Sequence, residues 1–212
     1  MNYTIVDIEN WSRASLFNFY IGKLRVVMSL TVDIDVTHLL DYVHKNGLRF
    51  YPAMIWAVSK IANSHDEFKY GWKDDVLVKW DYIFPSYANF NKSDETFTKY
   101  PTEYKERLEE FHSLYIADRE KYKDARGLQK SVPNAFDVSC LPWVKFSHFA
   151  VHSFGYKPYY FPSVAAGKFY QKHGRTYMPL SLTCHHATTD GWHIKCFLED
   201  LQQDIENFDR YL

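Results

Sequence analysis

The sequence predicts an α/β domain in which a large mixed β-sheet has helices packed against it, and three stretches carry most of that prediction. Residues 28–34 alternate Met28, Leu30, Val32 and Ile34 with Ser29, Thr31 and Asp33, the period of a strand with one buried face. Residues 53–63, opened by Pro52, are apolar on nearly every side, as suits a helix enclosed by the core. Residues 190–207 set Ile194, Phe197, Leu198, Leu201 and Ile205 on one face of a final helix.

The remaining elements follow in chain order. Asn10 is suited to cap a helix over 11–21 that carries Trp11, Leu16, Phe17 and Tyr20 at helical spacing, includes Arg13 and stops at Gly22. Beyond the first strand, a short helix from about Thr37 ends at Asn46-Gly47. Asp74-Asp75 turns between two short strands, with Val76, Val78 and Trp80 on one face, and the aromatic stretch 87–97 continues the sheet. Pro101 precedes an amphipathic helix through Tyr104, Leu108, Phe111, Tyr115 and Tyr122 that stops at Gly127. Strand patterns recur over 135–140, 146–153 and 163–170, and His173-Gly174 turns the chain into a strand over 177–184. No repeat, linker or low-complexity stretch interrupts this order, so one domain over residues 1–212 is expected.

Composition narrows the partners. With 25 Lys+Arg against 26 Asp+Glu, the net charge of −1 lacks the basic footprint that a nucleic-acid backbone requires. No stretch is apolar over the ~18 residues of a membrane span, and residues 1–11, with Asp7 and Glu9, do not form a secretory signal. A cytoplasmic protein is expected. Cys140, Cys184 and Cys196 match no zinc-knuckle spacing and read as reduced thiols. The 17 Tyr and 16 Phe exceed what a core needs, which directs some of them to a pocket or a subunit interface.

Chemistry concentrates in residues 182–193, where His185 and His186 leave an apolar strand and Asp190-Gly191 starts a helix. Imidazole is the side chain that exchanges protons near neutral pH, which makes either histidine a general-base candidate. Neighbours leaving a strand point to opposite sides, so one of the two faces a site. Three readings fit: a hydrogen-bonded structural pair, a metal site from His185, His186, Asp190 and His193, or an acyl-transfer base. Gly191 and the absence of a His-Glu-x-x-His or Cys-x-x-Cys pattern weigh against the metal.

His185-His186-Ala187-x-x-Asp190-Gly191-x-His193 resembles the active-site signature of the chloramphenicol acetyltransferase family, in which a His-His-Ala/Ser run is followed by Asp-Gly, an aromatic residue and His. The likeness extends along the chain through Met1 to Thr4, Asn10-Trp11-x-Arg13, Phe50-Tyr51-Pro52, Glu95-Thr96-Phe97, Ser139-x-Leu141-Pro142-Trp143 and Lys168. It implies a two-layer sandwich like that of the CoA-dependent acyltransferases, similar also to dihydrolipoamide acyltransferase catalytic domains, and an enzyme that acetylates a hydroxyl from acetyl-CoA. No permanently bound cofactor and no metal is expected.

By that resemblance His186 is the base and Ser139 the donor to the oxyanion, while His185 is structural. Asp190 pairs with Arg13 and holds the histidine loop against the first helix. Phe19, Tyr20, Leu24, Phe97, Phe149 and Val151 match the acceptor lining, with Ser163 and Ala165 beside them. Arg49, Tyr51, Trp143 and Lys168 match the CoA contacts. The resemblance also implies a homotrimer whose active sites lie between subunits, and a role in antibiotic resistance. The sequence departs from the pattern at Thr183, Cys184 and Trp192, and more consequentially at Ala165 for a water-binding threonine, Ser163 for an apolar residue and Lys99 for a small one. These last three leave room for a different hydroxyl acceptor, and more remotely for a trimer that binds without catalysis.

Overall fold

The structure is a computed structural model that describes residues 2–153, 155 and 157–208. The chain runs through β1 (Tyr3–Ile5), α1 (Ala14–Gly22), β2 (Val27–Asp35), α2 (Thr37–Lys45) and α3 (Phe50–Ser64) into β3 (Tyr70–Lys73) and β4 (Val76–Trp80). It continues through β5 (Phe84–Asn91), β6 (Thr96–Pro101), α4 (Leu108–Lys121), β7 (Gly127–Leu128), β8 (Ala135–Cys140), β9 (Ser163–Ala166), β10 (Tyr170–Lys172), β11 (Arg175–His185) and α5 (Gly191–Glu206).

Eight strands form the main sheet in the order β10-β11-β9-β8-β5-β6-β7, with β2 paired to the other side of β11. The sheet is mixed, since β5 with β8, β6 with β7 and β8 with β9 run parallel and the other pairs antiparallel. Its alternation sorts the two faces. Val138, Val164, Leu180 and Leu182 enter one core with α2, α3, α4 and α5, whereas Asp137, Ser139, Ser163, Ser181 and Thr183 point the other way. Helix α3 fills the middle of that core: ten of its residues are buried, which is why its apolar positions show no single stripe. A small sheet, β1-β4-β3, and α1 enclose a second cluster of Phe17, Leu77, Tyr160 and Ala187, which backs the histidine loop.

Several boundaries differ from expectation for local reasons. Asn10 does not cap α1, because its side chain donates to Asp7 Oδ2 at 2.7 Å; the helix begins three residues after Trp11, with Arg13 at its cap. Helix α3 starts at Phe50, so Pro52 lies inside its first turn, where no backbone N–H is missed. The aromatic stretch 87–97 divides into β5 and β6 around a turn in which Glu95 takes φ +55°. Tyr104 precedes α4 and Gly127 opens β7 rather than ending the helix. Among the described residues of 146–153 no strand forms: this segment crosses the open sheet face, where Thr31 Oγ1 meets His148 Nδ1 at 3.3 Å. The 163–170 stretch is a strand to Ala166 and again at Tyr170, where β10 begins. Hairpin turns at Asp74-Asp75 and His173-Gly174 have positive φ at both residues, as the primed two-residue turns require.

Candidate active site

Strand β11 delivers His185 and His186 to the sheet's edge, where its ladder with β2 closes on a hydrogen bond from His186 N to Val26 O at 2.9 Å. The chain then coils so tightly that Thr188 N and Thr189 N both donate to His185 O. Asp190 ends the coil as the cap of α5, its carboxylate accepting from Trp192 N at 3.0 Å. His193 completes the capping box by accepting from Asp190 N through Nδ1 at 3.1 Å.

The two histidines have different surroundings. His185 is buried, lies edge-on to Tyr160 and accepts from Ala187 N through Nδ1 at 3.1 Å. Burial, with the neighbouring His186 and Arg25, pushes its pKa down to about 4, so it is neutral across the physiological range. His186 is half-buried. Its Nδ1 lies 2.8 Å from Thr189 O, a carbonyl that can only accept, so Nδ1 carries the proton and the neutral ring presents Nε2 as its basic nitrogen. Tyr20 stacks on this ring with centroids 4.2 Å apart.

Arg13 organises the coil. Nε donates to Ala187 O at 2.8 Å, one terminal nitrogen reaches Asp190 Oδ2 at 3.2 Å, and the other donates to His186 O and Thr189 O at 3.0 and 2.9 Å. The same Thr189 carbonyl that fixes the His186 tautomer is thus held by the guanidinium fork. Burial opposes ionisation of Asp190, but the hydrogen bond from Arg13, with smaller contributions from His193 and Trp192 N, keeps its pKa below the usual carboxylate value. Of the four candidate metal ligands, His185 and His193 use Nδ1 as backbone acceptors and Asp190 is taken by Arg13 and the helix cap. Their donors do not converge.

Ser139 lies elsewhere in the chain. It pairs with Ala165, which pairs in turn with Ser181, five residues short of His186 on β11. Two strand spacings of about 4.8 Å and five rises of about 3.3 Å separate Ser139 from His186 by about 19 Å. Both cannot touch one carbonyl within a single chain.

The four residues matched to CoA do come together. Arg49, Tyr51, Trp143 and Lys168 line a cavity of about 710 Å³ into which the first turn of α3 faces, and Phe97 lines it too, as do Arg119 and Lys123, which the sequence did not single out. Arg49 N is held by His112 Nε2 at 3.1 Å; burial and the Arg49 charge lower the His112 pKa, favouring the neutral acceptor form. Tyr51 Oη is enclosed and without a partner among the described residues.

The remaining acceptor candidates divide between two places. Phe19 packs edge-on against Tyr20, the residue that stacks on His186, and the side chains of Phe19 and Leu24 are exposed. Val151 and Ser163 line a cleft of about 250 Å³ with Arg25, Val27, Asp137, Thr183 and His185 on the open sheet face. Ala165 is buried in the same face, and Phe149 contributes its carbonyl, 3.5 Å from Ser29 Oγ. Asp137 is a missed polar residue of this face; a carboxylate between Phe136 and Val138 was its one sequence signal.

The profile of the family described as chloramphenicol acetyltransferase matches residues 1–202. A chloramphenicol acetyltransferase of Staphylococcus aureus is 35% identical over 207 residues, covering 96% of this chain and 95% of that protein. A solved chloramphenicol acetyltransferase superposes with a TM-score of 0.83 at 23% identity, over 96% of this chain and 100% of that one. A solved probable dihydrolipoamide acetyltransferase from Listeria monocytogenes shares the fold at a TM-score of 0.62 and 14% identity, over 97% of this chain and 94% of that one.

Proposed function

This chain belongs to the chloramphenicol acetyltransferase family, and on that premise we propose that it moves the acetyl group of acetyl-CoA onto a hydroxyl of chloramphenicol, with His186 as general base. The observation that carries the assignment of the base is the bond between His186 Nδ1 and Thr189 O, which leaves Nε2 to take a proton. As that proton leaves, the acceptor oxygen attacks the thioester carbonyl. Ser139 Oγ donates to the resulting oxyanion, a contact typically worth about 10²–10³ in kcat. The tetrahedral intermediate expels the CoA thiolate, which takes the proton from the imidazolium, and acetylated product and CoA leave. Arg13 and Asp190 position the base and take no proton.

The separation of Ser139 from His186 within one chain supports a homotrimer in which each site draws His186 from one subunit and Ser139 from the next. The exposed apolar side chains of Phe19, Leu24, Val27 and Val151 support the same arrangement, since they would be covered there. We place CoA in the cavity of Arg49, Tyr51, Trp143 and Lys168, as a cosubstrate that is not permanently bound, with its phosphates at the basic residues and the α3 N-terminus. Residues 1–212 form one acyltransferase domain, which supplies half of each site. Acetylation of the antibiotic would give resistance, in the cytoplasm where acetyl-CoA is made; among the described residues no helix is long and apolar enough to cross a membrane.

A second reading, transfer to another hydroxyl acceptor, draws on the polar groups Ser163, Lys99 and Asp137 of the open sheet face. Release of CoA thiol from acetyl-CoA and chloramphenicol, followed with a thiol dye, tests both. We expect release that falls by about 10²–10⁴ in His186→Ala. Release only with some other alcohol would move the assignment to the second reading. Silence with every acceptor, with no binding of CoA, would reduce the protein to a non-catalytic one.

A further inference from the structure

Between the oxyanion serine and the rim of the open sheet face lies an ion pair that the family resemblance does not account for: Lys99 Nζ is 2.6 Å from Asp137 Oδ1. The strands that carry them are not neighbours. Lys99 is on β6 and Asp137 on β8, with β5 between them, so the lysine stem must cross about 10 Å of sheet. It can do so because its β5 partner is Ala88 and the partner of Asp137 is Ser86, two side chains too short to stand in the way. Asp137 is also two residues before Ser139 on the same face, about 7 Å along the strand, and across the ladder from Ser163, the other polar departure. Asp137 lines both the cleft of about 250 Å³ that holds Val151, Ser163 and His185 and an adjoining cavity of about 480 Å³ that also holds Lys99.

We infer that Asp137 and Lys99 are specificity-determining residues for the acceptor, forming a seat for a neutral group that both donates and accepts hydrogen bonds, one side-chain row from the oxyanion site. The inference rests on the acyl-transfer reading given above. The pair is neutral as a whole and half exposed, and its hydrogen-bonding capacity is unfilled: Asp137 Oδ2 has no donor among the described residues, and Lys99 uses one of its three protons on Oδ1. A cation on the acceptor would compete with Lys99 for Asp137, and an anion with Asp137 for Lys99. A hydroxyl or an amide satisfies both partners at once. A purely apolar group would displace water from the pair and replace none of its hydrogen bonds, the situation in which a polar site discriminates most strongly.

The test compares chloramphenicol with analogues that lack in turn the secondary hydroxyl, the amide N–H and the nitro group, on the wild-type protein, on Lys99→Met/Asp137→Leu and on the near-isosteric Asp137→Asn. The readout is kcat/KM for each acceptor. In the wild type at least one analogue should fall tenfold or more below chloramphenicol, and in the double variant that same gap should shrink to threefold or less with KM for acetyl-CoA unchanged. Asp137→Asn, which keeps the shape of the site should the double variant fold poorly, should narrow the gap part of the way. Gaps that are the same in the wild type and both folded variants would overturn the seat while leaving His186-dependent acyl transfer intact. Absence of thiol release from the wild type with every alcohol would remove the reading on which the inference stands.

Discussion

The imidazole of His186 lies against the ring of Tyr20, centroids 4.2 Å apart and planes 23° from parallel, while its Nδ1 is tied to Thr189 O at 2.8 Å. The hydrogen bond sets the tautomer and the rotation of the ring. The stack closes one of its faces, so the direction of Nε2 is fixed by two contacts made with different parts of the chain.

Tyr20→Ala should therefore lower kcat about tenfold, the equivalent of the ~1.5 kcal/mol upper range for an aromatic pair, with KM for acetyl-CoA unchanged. Tyr20→Phe keeps the stack and should stay within twofold of the wild type. Steady-state kinetics of both variants checks this, and equal losses in the two would assign the effect to the phenol rather than the ring.

Arg13→Ala removes every guanidinium bond to the 186–190 coil at once and leaves the half-buried Asp190, the cap of α5, without its cation. Stability should fall by about 2–4 kcal/mol, read from urea unfolding, and kcat should fall with it. Arg13→Lys restores the charge but not the fork, so it should recover part of the stability while activity stays low.

Stability should also fall on acidification through His185. Its pKa is about 4 in the folded chain against about 6.5 in an unfolded one. The unfolded state then holds more proton between these values, and stability declines as pH drops from about 6.5 and stops responding to this group below about 4. Thermal unfolding from pH 7 to pH 4 measures the slope. His185→Gln should flatten it, although the variant starts less stable.

Lys168→Ala and Arg49→Ala should raise KM for acetyl-CoA about tenfold and leave kcat nearly unchanged. If these residues meet phosphates, the wild-type KM for acetyl-CoA should climb with added salt, and the climb should be shallower in each variant, because screening acts on charges that the variants no longer carry. A salt response identical in all three proteins would place the phosphates elsewhere.

Much of this was legible in the sequence because it is local. The 28–34 alternation, the enclosed α3 and the final helix each follow from side-chain periodicity, and the run from His185 to His193 carries its strand end and capping box in its own pattern, while the coil between them is also held by the distant Arg13. Boundaries were less legible where a neighbour intervened: Asn10 chose Asp7 over the helix, and residues 146–153 alternate like a strand yet cross the sheet face without joining its ladder.

The sequence by itself determined the main periodic elements and put Asp190 at the start of the last helix, whereas the choice of His186 over His185 and the pairing of Arg13 with Asp190, 177 residues apart, came from the family resemblance that the sequence carries and from no local pattern. Tertiary structure alone decided what meets across strands. It brought Arg49, Tyr51, Trp143 and Lys168 to one cavity, set Ser139 too far from His186 for one chain to use both, and joined Lys99 to Asp137 over Ala88 and Ser86. These are matters of register between segments far apart in the chain, and register is set by how whole faces pack, which no local pattern contains.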